Sequence, residues 1–96
     1  MLYSRQIKHR GLRLLYEDDD KSGVNANCVG KLKRILAALN VITSPNEMDL
    51  PGLGFHPLKG DRKGTFALTV TRNHRVTFEW DSDGPQNVTL EDYHGR

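Results

Sequence analysis

Two short segments hold most of the side chains able to do acid–base or phosphate chemistry. One is His56-Pro57-Leu58-Lys59-Gly60-Asp61-Arg62, and the other is Glu91-Asp92-Tyr93-His94. The set suits cleavage of RNA without a metal. In that reaction the 2′-hydroxyl loses a proton and attacks the adjacent phosphate. The 5′-oxygen leaving group gains a proton, and charge growing on the phosphorane needs cationic donors. His56, Asp92 and His94 are the candidates for proton transfer. Lys59, Arg62 and Arg75 are the candidates for positive charge, arginine gripping phosphate through two parallel donors. Tyr93 can stack on an unpaired base. An unperturbed imidazole changes charge near pH ~6.5, inside the working range of such a reaction. Taken singly, each residue has a blander role. His56 before Pro57 can cap a loop, Lys59 and Arg62 are ordinary loop charges, and Tyr93 and His94 can be a frayed tail. His9 and His74 are assigned structural or solvated roles.

Other chemistries fit less well. The four histidines are not paired at metal-ligand spacing, and a single cysteine, Cys28, provides neither a disulfide nor a multi-cysteine zinc site. No metal and no cofactor is expected. Gly52-Leu53-Gly54 and the stretch from Gly60 to Gly64 match neither a P-loop nor a dinucleotide fingerprint. Cys28, next to Val29 on an expected helix, reads as a small buried residue rather than a nucleophile.

The 96 residues leave room for one domain, taken as 1–96, with one modest core. The apolar-rich run from Ile35 to Thr43 is too short to span a membrane. Lys8, Arg10 and Arg13 interrupt any secretory signal at the start. With one cysteine, a reducing cytoplasm is the expected compartment. The net charge of +2 says little about partners by itself. Its distribution says more: Lys59, Arg62, Lys63, Arg72 and Arg75 stand against Asp61 alone between residues 56 and 75. Glu17-Asp18-Asp19-Asp20 concentrates acid in one run.

These side chains need a scaffold to bring them together. Leu12, Leu15 and Tyr16 stand at helical offsets, which predicts a helix over 8–17, with Gly11 marking close packing. Asn25 is the expected N-cap of a second helix carrying the stripe Val29, Leu32, Leu36 and Leu39, flanked by Ile35 and Ile42. Ser44-Pro45-Asn46 ends it. The period then changes to two. Phe55 to Leu58 is a short extended segment. Phe66, Leu68 and Val70 alternate with polar residues, and so do Val76, Phe78 and Trp80. Arg72-Asn73-His74 connects those two runs, Asp83-Gly84-Pro85 makes the next turn, and Asn87 to Tyr93 forms a further strand. The expected fold is α+β, with two N-terminal helices packed on an antiparallel sheet. The helices cover Phe66, Leu68, Val70, Val76, Phe78, Trp80, Val88 and Leu90. The other face, with Arg75, Thr77, Glu79 and Glu91, is polar and open. Strict alternation puts Tyr93 on that open face and Asp92 on the core side. A catalytic Asp92 therefore requires the last strand to end or twist before it. The expectation is that it does, and that His56, Lys59, Asp92 and His94 meet in one shallow cleft.

The pair of motifs HPLKGDR and EDYH, with Gly64, the hairpin strand Arg75-Val76-Thr77-Phe78 and the opening Lys8-His9-Arg10-Gly11-Leu12 run to Glu17, closely resembles the HigB toxins of the RelE-like toxin–antitoxin superfamily. The likeness runs in order along nearly the whole chain. It implies a compact RelE-like fold and a ribosome-dependent mRNA interferase that cuts messenger RNA in the ribosomal (30S) A site and needs no metal. It implies a cognate HigA-like helix-turn-helix antitoxin as partner, with DNA reached only through that complex. Carried over by motif, the active-site positions are His56, Lys59, Asp92, Tyr93 and His94, with Arg62 and Arg75 as RNA-binding supports. The chain departs from its relatives in its extra Gly95-Arg96, in Thr65-Phe66 after Gly64, in the denser acidic run and in a slightly longer amino terminus that displaces the first strand. None of these departures removes a catalytic candidate. Two other readings use the same surface: a non-catalytic RNA- or ribosome-binding module, and a co-repressor acting with a DNA-binding antitoxin. The His56, Asp92, His94 set separates the enzyme from the binding module, since binding alone needs no proton carriers.

Overall fold

A computed structural model describes residues 1–92. Two α-helices come first, α1 (Arg10–Asp18) and α2 (Val29–Leu39), followed by strands β1 (His56–Pro57), β2 (Thr65–Thr69), β3 (His74–Asp81) and β4 (Gly84–Asp92). The strands form one antiparallel sheet in the order β1-β2-β3-β4. This is the expected α+β arrangement. None of the described helices is long and apolar enough to cross a membrane.

The helix starts follow from local chemistry. His9 caps α1, its Nδ1 accepting from the Leu12 amide at 3.1 Å, which satisfies one of the orphan donors of the first turn. Leu12 and Leu15 are buried, and Asp19 ends the helix in the left-handed conformation at φ 54°. Asn25 does cap the next element: its Oδ1 accepts from the Asn27 amide at 2.9 Å, and a 3-10 turn (Ala26–Cys28) runs into α2. The helix stops at Leu39, short of the Pro45 boundary. At this point the Asn40 side chain is taken up by tertiary bonds, its Oδ1 accepting from the Leu2 amide at 2.9 Å and the Tyr16 hydroxyl at 3.2 Å. Ile42 still reaches the core from the turn that follows.

Gly11 meets the segment before α2. A methyl group built there would overlap the Gly23 carbonyl oxygen. Gly11→Ala is therefore expected to cost about 1–3 kcal/mol by overpacking, read as a fall in thermal midpoint of at least about 4 °C. An unchanged midpoint would mean that α1 can slide away from Gly23 at no cost.

The helices pack on the sheet face predicted for them. Leu68, Val70, Val76, Phe78 and Val88 are buried, and Phe66, Trp80 and Leu90 are partly buried against the same cluster. The Phe66 and Phe78 ring centroids lie 5.5 Å apart, and Phe55 stacks on Phe66 at the same distance. Trp80 is at the margin of this core. A β-bulge between Thr77 and Glu79 shifts the β3–β4 register, with Asn87 at φ 51° on the facing strand. The outer edge of β4 does not stand open. Ile7 bridges Val88 in parallel, and the Lys8 amide donates to the Val88 carbonyl at 2.7 Å. The amino terminus thus contributes one bridge in place of a first strand. Buried Gln6 ties it further, donating from Nε2 to the Asp83 carbonyl at 3.2 Å.

Two expectations about the sheet need correction. The polar face is not open at its centre, because Ala67 and Thr77 are buried there. They are small side chains beside long ones, and the Thr77 hydroxyl bonds the Glu91 carboxylate at 3.2 Å. The last strand also does not end or twist before Asp92. Asp92 is still within β4, opposite His74. The β2–β3 hairpin places His74 in the ladder, with the Val70 and Thr71 amides donating to its carbonyl, so β4 has a partner to its last described residue.

Candidate active site

His56 stands on β1, opposite Ala67 of β2. Directly paired residues share a face, so His56 lies on the polar side with Ala67 and Thr77. It is exposed, and its Nδ1 sits 2.8 Å from the Gly54 carbonyl oxygen. A carbonyl can only accept, so Nδ1 carries the proton and Nε2 bears the lone pair in the neutral ring. That tautomer suits a general base. Gly54 allows the contact by adopting φ 56°. Lys59 follows in the exposed loop before a 3-10 turn (Gly60–Arg62). Its ammonium makes no hydrogen bond or ion pair among the described residues.

Arg62 and Arg75 converge on one carboxylate. Arg62 grips Glu91 with two parallel bonds, Nη1 to Oε1 at 3.0 Å and Nη2 to Oε2 at 2.6 Å. Arg75 donates from Nε to Oε1 at 2.9 Å. With the Thr77 hydroxyl, four donors meet on Glu91. The Arg62 hydrogen bonds, partly offset by desolvation and reinforced by Arg75, hold the Glu91 carboxyl down at about 2. The same pairing raises Arg62. The sequence places Glu91 in the EDYH motif and on the polar face but assigns it no partner. The signal available for more was its alternation with Thr89 on the face of Arg75. Its bond to Arg62 spans 29 residues and had no sequence signature.

The Glu91 cluster makes stability depend on acid. Its carboxyl is lower in the folded than in the unfolded chain, so the contribution is complete above the unfolded value of 4.5 and is lost as pH falls through that value toward about 2. Glu91→Gln is expected to lower stability by about 1–2 kcal/mol at pH 7, a figure discounted for partial solvent screening. The deficit relative to the parent chain should shrink as pH falls below the unfolded value. Thermal melts of both chains across that range check the trend, and a pH-independent difference would contradict it.

Asp92 lies elsewhere. Its pairing with His74 puts it on the helix-covered face. Its Oδ2 is 3.8 Å from His74 Nε2. A cavity of about 390 Å³ opens beside it, lined also by His9, Asn25 and Leu90. Burial lowers the His9 pKa. The register separates Asp92 from His56 by three inter-strand steps, roughly 14 Å at the usual strand spacing, and puts them on opposite faces. The described residues thus form two groups: His56, with the Arg62–Glu91–Arg75 cluster, on the polar face, and Asp92 with His74 and His9 on the other. Both histidines assigned bland roles border the second group. Tyr93 and His94, and with them Gly95-Arg96, lie outside the described residues. Among the described residues no group of three or more His, Cys, Asp or Glu is arranged to hold a metal ion. Cys28 is buried, and burial pushes its thiol upward.

The sequence matches known proteins along nearly its whole length. Residues 5–94 match the family described as the RelE-like toxin of the type II toxin–antitoxin system HigB. The chain is also similar to the endoribonuclease HigB of Proteus vulgaris, 38% identical over 90 residues, which cover 94% of this chain and 98% of that relative. With both motifs inside the matched span, and two helices followed by an antiparallel sheet among the described residues, the chain belongs to the HigB-like family of RelE-like type II toxins.

Proposed function

We propose that this toxin is a metal-independent endoribonuclease that cuts messenger RNA in the ribosomal A site and so inhibits translation. The observation that carries the reading is His56. It is an exposed imidazole with Nδ1 tied to the Gly54 carbonyl, leaving Nε2 to take a proton. The relative named as an endoribonuclease supports the same chemistry. His56, Lys59, Asp92, Tyr93 and His94 form the catalytic set. Arg62 and Arg75 act as an oriented pair rather than as loose cations, since Glu91 aligns both guanidiniums. His56 and Asp92 occupy opposite faces, so the RNA passes around the end of β4. Tyr93 and His94 follow directly in the chain and complete the set.

A cognate antitoxin with a helix-turn-helix holds the toxin inactive, and DNA is contacted through that complex. The compartment is the cytoplasm, where translating ribosomes are, and the single domain spans 1–96. Attack by the 2′-hydroxyl fixes the products. Purified chain added to mRNA on programmed ribosomes is expected to leave a 2′,3′-cyclic phosphate, or the monophosphate derived from it, upstream of the cut. The downstream fragment should carry a 5′-hydroxyl. Downstream fragments bearing a 5′-phosphate would overturn the mechanism.

A further inference from the structure

We propose that His74 is a positioning residue for Asp92, and that the Thr71 hydroxyl sets its tautomer. The inference rests on the reading that Asp92 takes part in RNA cleavage. The β2–β3 hairpin closes through the Val70 and Thr71 amides, which donate to the His74 carbonyl at 3.0 and 3.1 Å. Within that turn the Asn73 amide donates to Thr71 Oγ1 at 3.2 Å. Thr71 Oγ1 also lies 2.8 Å from His74 Nδ1. Asn73 occupies one lone pair of the hydroxyl, and in the arrangement we propose the O–H donates to Nδ1. The ring then carries its hydrogen on Nε2. Nε2 is the nitrogen that faces Asp92, 3.8 Å from Oδ2.

The spacing is longer than a hydrogen bond. The Asp92 side chain is 51% exposed and that of His74 24% exposed, so water reaches the gap and can bridge it. The order Asn73 amide, Thr71 hydroxyl, His74 imidazole, Asp92 carboxylate has the form in which a reacting group is oriented by a second group that a third holds in one tautomer. The surroundings fit this use. His9 from α1 is the other titratable group lining the cavity beside this pair, and the 22–25 segment contributes Ser22 and Asn25, which do not titrate. The His74 side chain is partly buried beside this cavity, and the hairpin closes through its backbone carbonyl.

The test is single- and double-variant kinetics of the full chain cutting mRNA on programmed ribosomes. His74→Leu is expected to lower kcat about tenfold with KM unchanged. His74→Gln, whose amide N–H falls near the position of Nε2–H, should stay within about threefold of the parent, and Thr71→Val should fall between the two. In an Asp92→Asn background, His74→Leu should cause no further loss, because the group it positions is already gone. An equal loss in both backgrounds, or a glutamine no better than leucine, would show a merely structural histidine and overturn the inference. Parental rates in His74→Leu while Asp92→Asn is impaired would overturn it too, leaving the reading of Asp92 standing. Parental rates in Asp92→Asn would overturn the reading of Asp92 and the inference with it.

Discussion

Cells expressing the Lys59→Ala or the His94→Ala variant are expected to keep growing under induction that arrests cells carrying the parent chain. Lys59 is exposed, in a loop, and its ammonium makes no hydrogen bond or ion pair among the described residues. Truncating such a side chain should leave stability within about 0.5 kcal/mol of the parent. Its cost therefore falls on function, where the ammonium would stabilise charge developing on phosphate. His94, outside the described residues, is the proposed proton carrier next to Tyr93. Loss of a general acid or base typically costs about 10²–10⁴-fold in rate. Either loss is large enough to spare most messages in a growing cell. Tyr93→Phe should be milder than Tyr93→Ala, because the ring still stacks without its hydroxyl. Growth after induction, at matched expression and with co-purified antitoxin as the check on folding, decides the matter. Full toxicity in both variants would mean that the active site is misplaced.

The second large effect is the difference between naked and ribosome-bound RNA. At equal concentration, cleavage of free mRNA is expected to be at least about 10²-fold slower than cleavage of the same message on programmed ribosomes. The reason is weak capture. With 12 acidic residues set against 14 basic ones, the chain as a whole exerts little long-range attraction on a polyanion. The polar face is less cationic than its residue list suggests, since Glu91 lies between Arg62 and Arg75. With the proposed catalytic residues His56 and Asp92 on opposite faces, a free strand would also have to find one particular path around the sheet end. A ribosome would present a single codon extended and fixed, supplying the orientation that the toxin does not. Cutting of naked RNA at the same sites and at a similar rate would contradict this account.

Local chemistry alone determined the elements. Leu12 and Leu15 at helical offsets, the Asn25 cap, and the alternation through Phe66, Leu68, Val76 and Phe78 each act within a few residues, so their outcome could be read from the chain. The same holds for the choice of the helix-covered face, because burying either face of a strand fixes every second residue on it. The motifs HPLKGDR and EDYH also supplied the positions proposed for the chemistry. Tertiary structure decided how those residues are distributed. Nothing near Glu91 in sequence announces that it gathers Arg62 and Arg75 into a cluster of reduced positive charge closed over Thr77. Gly11 was visible as a packing glycine, but its partner Gly23 was not. The length of β4 depended on the hairpin placing His74 in the ladder, and this kept Asp92 on the helix-covered face, away from His56. The physical reason is common to all three. Pattern and propensity act between neighbours on one segment, whereas register, pairing of distant charges and the contact of two backbones are set only when the sheet and helices close on one another.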